Sequence, residues 1–303
     1  MNQYLINKII KNQQVFFKMS INEQIINIPI SITSQYAHQK VGESPTISIH
    51  SIYNKTINLL INNELFSLQP IVSELSPISL ITNFTQTQFE HLKLEPHQTY
   101  QLHLNYQNCA IFCTKLTACN SHLHHKFNVC TELTQQILQH SDKKGLNLLF
   151  QAQNDDLILS AFKQYLSQVE HFYAINDEEN ACHILTKLIG LGIGLTPSGD
   201  DFLCGLLASF QYFNATQSSF YKKLTHKIKQ NLANTNAISS RFLDCALQQQ
   251  FSTPVLTFFK NMNKKNVEIG QLSKLFENIG HSSGMDTLFG IYYGSNLLLE
   301  GLT

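Results

Sequence analysis

Residues 188–207 read LIGLGIGLTPSGDDFLCGLL, and this stretch decides how the second half of the chain folds. Gly190, Gly192 and Gly194 alternate with apolar residues, and Thr196-Pro197-Ser198-Gly199-Asp200-Asp201 then runs into an apolar block of helix-forming length. The pattern predicts a loop opening a buried helix. Glycines let the backbone turn sharply, Pro197 stiffens the turn, and Ser198 or Asp200 is placed to cap the first amides of the helix. Unpaired N–H groups and the positive end of the helix dipole face the same way there, which makes such a start a ready anion site. The plain alternative is a capped packing helix with a glycine-rich entry.

Outward from this stretch, the same device recurs. Residues 281–290, HSSGMDTLFG, align without a gap on residues 196–205, TPSGDDFLCG. Ser198, Gly199, Asp201, Leu203 and Gly205 coincide with Ser283, Gly284, Asp286, Leu288 and Gly290. Two corners of one design predict two helix N-termini facing a shared pocket that holds a negatively charged guest. Gly192, Gly194, Thr196, Ser198, Gly199, Ser282, Ser283 and Gly284 are its candidate anion-binding residues.

A third polar helix start, Asn234 to Arg241, carries Ser239 as the expected cap. Arg241 is the single arginine among 21 basic residues. A planar guanidinium kept in so lysine-rich a chain points to two parallel hydrogen bonds to a carboxylate or phosphate, against the alternative of an ordinary solvated arginine. Asp200, Asp201 and Asp286 can each act as general base, magnesium ligand or acceptor for a substrate amine. No cofactor is expected unless Mg2+ sits among these three. His281, of a residue type that titrates near neutrality, is the candidate for proton transfer, with a hydrogen-bonded loop histidine as the alternative.

The segment before this is different in kind. Residues 1 to 18 read as a short helix or frayed segment, and residues 19 to about 118 as mainly strand. Ile21 to Ile32, Pro45 to Ile52, Thr99 to Leu104 and Cys109 to Phe112 are separated by turn formers such as Gly42-Glu43-Ser44-Pro45 and Asn62-Asn63. Asn58, polar in an apolar run, is either a ligand contact or a hydrogen-bonded turn residue. From Val129 apolar residues recur three and four apart. The expected fold is therefore α+β, with a mostly antiparallel β domain over 1–120 and a mainly helical domain over 121–303 carrying both Ser-Gly-x-Asp loops. Ser121 to Lys126, with His122, His124 and His125, marks the boundary; no Cys or acidic partner lies at metal spacing, so no metal site is expected there.

Composition narrows the function. With 21 basic and 21 acidic residues, the formal charge is zero, which disfavours a general nucleic-acid or membrane-surface binder and fits a small-molecule or protein partner. Seven cysteines without paired spacing suit a reducing cytoplasm. No apolar run approaches membrane-spanning length, and the N-terminal lysines precede no sustained apolar region, so neither export nor membrane insertion is expected.

Two resemblances follow from these motifs. Ser198-Gly199-Asp200-Asp201-Phe202 with Gly205 resembles the phosphate-holding signature of ribokinase-type sugar kinases, which implies Asp200 as the base. Ser198 stands where that signature has glycine, and the chain lacks that family's alternating strand-helix order. The second resemblance spans most of the chain. Gly190 to Gly205, Thr235 to Ser239, Gly280 to Gly290 and Asn58-Leu59 together resemble the AllH family. The resemblance implies a subunit of an oxamate carbamoyltransferase, working with FdrA-like and AllG-like subunits to convert oxalurate and phosphate to oxamate and carbamoyl phosphate in allantoin breakdown. It implies no assigned catalytic residues. The ordinary carbamoyltransferase loop Ser-x-Arg-Thr is absent, and Ser239-Ser240-Arg241-Phe242 matches it only in part. A non-catalytic binding or assembly subunit is the remaining alternative.

Overall fold

The structure is a computed structural model that describes residues 25–71, 73–119, 123–151, 156–262, 264 and 267–301. The helix expected over residues 1–18 lies outside the described residues, as does His122. The chain divides into two compact units, Met1–Thr114 and Lys115–Thr303.

The first unit is built on seven strands: β1 (Ile25–Ser34), β2 (Thr46–Tyr53), β3 (Thr56–Ile61), β4 (Glu64–Gln69), β5 (Ser79–Thr82), β6 (Thr99–Asn105) and β7 (Ala110–Phe112). Their order is β5-β4-β3-β2-β6-β1-β7, and a further β5–β1 pairing closes the sheet on itself. Ile, Leu and Thr fill these strands because branched side chains pack well on a pleated surface. Alternate residues such as Ile28, Ile30, Ile47, Ile49, Leu59 and Leu102 are buried inside. The Asn62-Asn63 turn holds φ 52° and 63° at its two residues, the left-handed pair that a tight β3–β4 hairpin requires. Four pairings are antiparallel, but β1–β6, β1–β7 and β4–β5 are parallel. β1 bonds β6 through residues 25–29 and β7 through 32–34, and a register shift between Ile30 and Ile32 interrupts its pairing with β5. Such a bulge bends the strand and supplies the curvature that closure needs.

The second unit is helical. After α1 (Gln35–Val41) and α2 (Gln86–Glu90) in the first unit come α3 (Leu123–His140), α4 (Leu157–Ala174), α5 (Glu178–Thr186), α6 (Ser198–Tyr212), α7 (Ser219–Gln230), α8 (Ala237–Leu247), α9 (Thr253–Asn261), α10 (Ile269–Glu277) and α11 (Ser283–Glu300). A short 3-10 turn, Leu146–Phe150, follows α3. α6 and α11 form the centre and are buried along most of their length, as the all-round apolar character of residues 202–213 predicts. No helix among the described residues is long and apolar enough to cross a membrane. The architecture is α+β overall, β-rich first and helical second.

Two local expectations fail. α6 begins at Ser198 with Pro197 at its N-cap and no side-chain cap, so neither Ser198 nor Asp200 plays that part. The loop's own backbone takes the first amides instead: Gly199 N–H donates to Leu191 O at 2.8 Å, and Asp200 N–H to Pro197 O at 3.0 Å. α8 is capped by Asn236, whose Oδ1 accepts from Ile238 and Ser239 N–H at 3.0 and 3.1 Å. Ser239 therefore lies inside the first turn, where its hydroxyl is free to bond elsewhere.

Candidate functional site at the paired corners

The two Ser-Gly-x-Asp corners touch. Thr196 Oγ1 and Ser283 Oγ lie 2.6 Å apart. The hydroxyls also cross over, since Ser198 hydrogen-bonds the Asp286 side chain while Ser283 and Thr196 hydrogen-bond that of Asp201. Ser198 and Ser283 hold equivalent places in the repeat, as do Asp201 and Asp286, so this exchange has approximate two-fold symmetry.

The same symmetry governs the helices behind the corners. A Cβ placed on Gly205 would overlap the carbonyl oxygen of Thr287, and one on Gly290 would overlap that of Phe202. Thr287 and Phe202 are themselves equivalent in the repeat. α6 and α11 thus cross with backbone against backbone at a glycine from each, an approach that any side chain there would prevent. Six residues earlier in each helix, Gly199 packs on the Leu188 carbonyl and Gly284 on that of Phe276. Gly284 N–H also donates to Ile279 O at 3.3 Å. The amides of both corner glycines are already hydrogen-bonded within the chain.

Three carboxyl groups converge here, each treated differently. Asp200 is 1% exposed and has both oxygens bonded: Oδ1 accepts from Gly190 N–H at 2.9 Å and Oδ2 from Thr235 Oγ1 at 2.6 Å, with Ser239 adding a third bond. Burial raises its pKa and these bonds partly offset the rise. Asp286 is fully buried, and its Oδ1 accepts from Leu146 N–H at 2.7 Å. Its Oδ2 has no partner, and burial raises its pKa despite bonds from Ser198 and Ser282. Asp201 also has an enclosed, unpartnered Oδ2. Burial first, and the neighbouring Asp286 carboxylate second, push it well above the ordinary value of 3.8. Two carboxyls in one low-dielectric site resist ionising together, so the Asp286 charge adds to burial in favouring the protonated form of Asp201. Cys204 stands in the same electrostatic field, where burial and the negative charge of Asp201 and Asp200 raise its thiol, which makes it a poor nucleophile.

The remaining predicted residues fall into place around this core. Gly192 and Gly194 lie in the loop before α6 at φ 135° and 107°, a backbone region closed to most side chains. Ser282 accepts the Asp286 amide through its carbonyl at 3.0 Å. Arg241 is buried on α8 and donates through Nη1 to Asp244 Oδ2 at 3.0 Å. His281 is exposed. Asn58 belongs to the first unit, where its Nδ2 donates to Ser51 Oγ at 3.0 Å and its Oδ1 accepts from Ser67 Oγ at 2.9 Å. Among the described residues no group of three or more His, Cys, Asp or Glu side chains is arranged to hold a metal ion.

One participant was not anticipated. Gly145-Leu146 reads in sequence only as a break between helices, yet it supplies the N–H that fixes Asp286, and a Cβ on Gly145 would lie 2.6 Å from Asp286 Oδ1. Its signal was a lone glycine after Lys143-Lys144, which carries no hint of a partner 140 positions away.

No solved structure matches the chain significantly. Two family models do: the AllH family N-terminal domain over residues 10–132, and oxamate carbamoyltransferase subunit AllH over residues 188–295. The second match contains both corners, α6 and most of α11, and the two together cover most of the sequence. The chain belongs to the AllH family, the family of a carbamoyltransferase complex subunit.

Proposed function

We propose that the chain works with FdrA-like and AllG-like subunits in transferring a carbamoyl group between oxalurate and phosphate, yielding oxamate and carbamoyl phosphate. In that reaction a phosphate oxygen attacks the terminal ureido carbon, the bond from that carbon to the oxamate nitrogen breaks, and the nitrogen must gain a proton. The observation that carries the reading is the meeting of the two corners, which puts Asp201 and Asp286 together with raised pKa values inside the segment that matches the family. A carboxyl whose pKa burial raises is better suited to give a proton to a poor nitrogen leaving group, and general acid–base help of this kind contributes about 10²- to 10⁴-fold. In this reading the hydroxyls of Thr196, Ser198, Ser282 and Ser283 set which carboxyl holds the proton.

The test is reconstitution. Oxalurate phosphorolysis by the three-subunit mixture is expected to disappear when this chain is omitted and to fall about 10²-fold or more with Asp201→Asn. Full activity without this chain overturns the proposal.

A second reading is favoured by one observation: Gly199 and Gly284 use their amides and their bare Cα faces to pack helices. On that basis the chain is a non-catalytic assembly subunit. Unchanged turnover in the complex with Asp201→Asn and Asp286→Asn, combined with collapse of the complex when the chain is left out, selects this reading. The kinase reading gives Asp200 the part of base, but both of its oxygens are engaged by Gly190 and Thr235.

A further inference from the structure

Away from the paired corners, at the other end of α6, an amine meets a thiol: Lys126 Nζ donates to Cys119 Sγ at 2.8 Å. The carbamoyl-transfer reading makes no use of this pair. Both partners are held by consecutive residues at the end of α6. Cys119 N–H donates to Tyr212 O at 2.6 Å, and Phe127, one residue beyond Lys126, packs on Phe213 with ring centroids 4.3 Å apart. Lys126 itself lies in the first turn of α3. Two groups held against each other in this way react as one unit, without the cost of finding one another.

The surroundings set this thiol apart from its neighbours. Burial pushes the Cys109 thiol up to about 11 and those of Cys130 and Cys182 up to about 12, so these three stay protonated near neutrality. Cys204 is raised further, by burial and by the charge of Asp201. At Cys119 an ammonium faces the sulfur, and a neighbouring cation favours the thiolate, the form that attacks an oxidant. Cys119 keeps 8% of its surface exposed and Lys126 is half-buried, so the pair is not sealed from a small oxidant.

We propose that Cys119 and Lys126 form a redox-sensitive modification site, at which one molecule of hydrogen peroxide joins Sγ to Nζ by a covalent S–N bond. The thiolate attacks a peroxide oxygen. An S–O bond forms, the O–O bond breaks, and the departing hydroxide takes a proton from the Lys126 ammonium and leaves as water. Cys119 is then a sulfenic acid in contact with a neutral amine. The amine lone pair attacks the sulfur, the S–O bond breaks, and the second hydroxide leaves with an N–H proton, again as water. Sulfur loses two electrons and the peroxide gains them. Sulfenic acids condense with a backbone nitrogen in the same manner. The new bond ties the first turn of α3 to the residue that holds the end of α6.

The test treats the full chain with one equivalent of hydrogen peroxide and reads its tryptic peptides by mass spectrometry. In the reduced protein, cuts after Lys115 and Lys126 release residues 116–126. The linked protein is expected to lose the cut at Lys126 and to yield residues 116–143 at a mass two hydrogens lower, and dithiothreitol is expected to restore the cut. Lys126→Arg keeps a cation beside the sulfur but removes the attacking amine, so it should stop at the sulfenic acid and be labelled by dimedone. The wild-type digest decides the matter even where that variant misfolds. A cut at Lys126 that survives after the exposed Cys113 has been oxidised overturns the proposal. So does a lasting sulfenic or sulfinic acid at Cys119, or a two-hydrogen loss with the cut intact, which marks a disulfide instead.

Discussion

The two Ser-Gly-x-Asp corners share a sequence and differ in what surrounds them. At the first, Asp200 and Asp201 are adjacent: one is bonded at both oxygens to Gly190 and Thr235, and the other has an orphaned oxygen. At the second, Met285 replaces the first aspartate, and Asp286 is held by an N–H from the Leu146 turn. The repeated residues therefore fix what is symmetric, namely the glycine crossing of α6 and α11 and the exchange of serine hydroxyls. The unrepeated residues fix what is not, and they give Asp286 alone a bond from the turn after α3. A repeated packing device is thus symmetric in its backbone contacts and asymmetric in its hydrogen bonds because its neighbours differ.

The comparison breaks most decisively at the crossing. Gly205→Ala and Gly290→Ala each drive a methyl into a carbonyl oxygen of the partner helix. Each is expected to cost at least about 1–3 kcal/mol, the usual range for overpacking, and the two costs should agree within about 1 kcal/mol. Urea denaturation measures both, and a harmless change at one glycine alone denies the two-fold packing.

Asp286 offers a sharper contrast. Asp286→Leu leaves the Leu146 N–H and two serine hydroxyls without their acceptor and is expected to cost about 1–3 kcal/mol. Asp286→Asn keeps an oxygen for Leu146 and removes the repulsion with Asp201, so at pH 8 its melting temperature should equal or exceed that of the wild type. A loss as large as that of the leucine variant contradicts the charge argument.

The pH dependence follows from the same pair. Folding raises the pKa of both carboxyls above 3.8, so the folded state binds protons more tightly than the unfolded chain. Their contribution to stability is fully present below pH 3.8 and is lost as pH rises through the raised folded values. Melting temperatures recorded upward from pH 4 should show this decline, and it should be shallower in Asp201→Asn. Parallel profiles for the two proteins rule out the pair as its source.

The smallest expected effect lies where the corners differ in sequence. Asp200→Asn retains one acceptor for Gly190 or Thr235 and should cost about 0.5–1.5 kcal/mol, the net worth of a typical hydrogen bond. It should leave complex turnover unchanged. A large loss of turnover returns Asp200 to the chemistry and revives the kinase-type reading.

Much of this was legible because some signals are local. Periodicity separated a strand-rich first half from a helical second half, and the ungapped match of residues 196–205 with 281–290 announced a repeated corner. The caps of α6 and α8 were misassigned for a physical reason. A side chain capable of capping is only one supplier of acceptors, and at α6 the loop carbonyls of Leu191 and Pro197 reached the amides first. Parallel pairings of β1 were likewise hidden, since alternation along a strand specifies its faces but not the direction of its neighbours.

The amino-acid sequence by itself determined the element types, the glycine spacing that lets two helices approach, and the kinship that spacing carries. Only the tertiary structure decided which aspartate has both oxygens hydrogen-bonded, which keeps an unpartnered oxygen, and that a turn at Gly145-Leu146 supplies a donor to Asp286. The reason is that spacing along the chain is written in consecutive residues. The charge state of a buried carboxyl depends on burial and on donors that folding brings from distant parts of the chain.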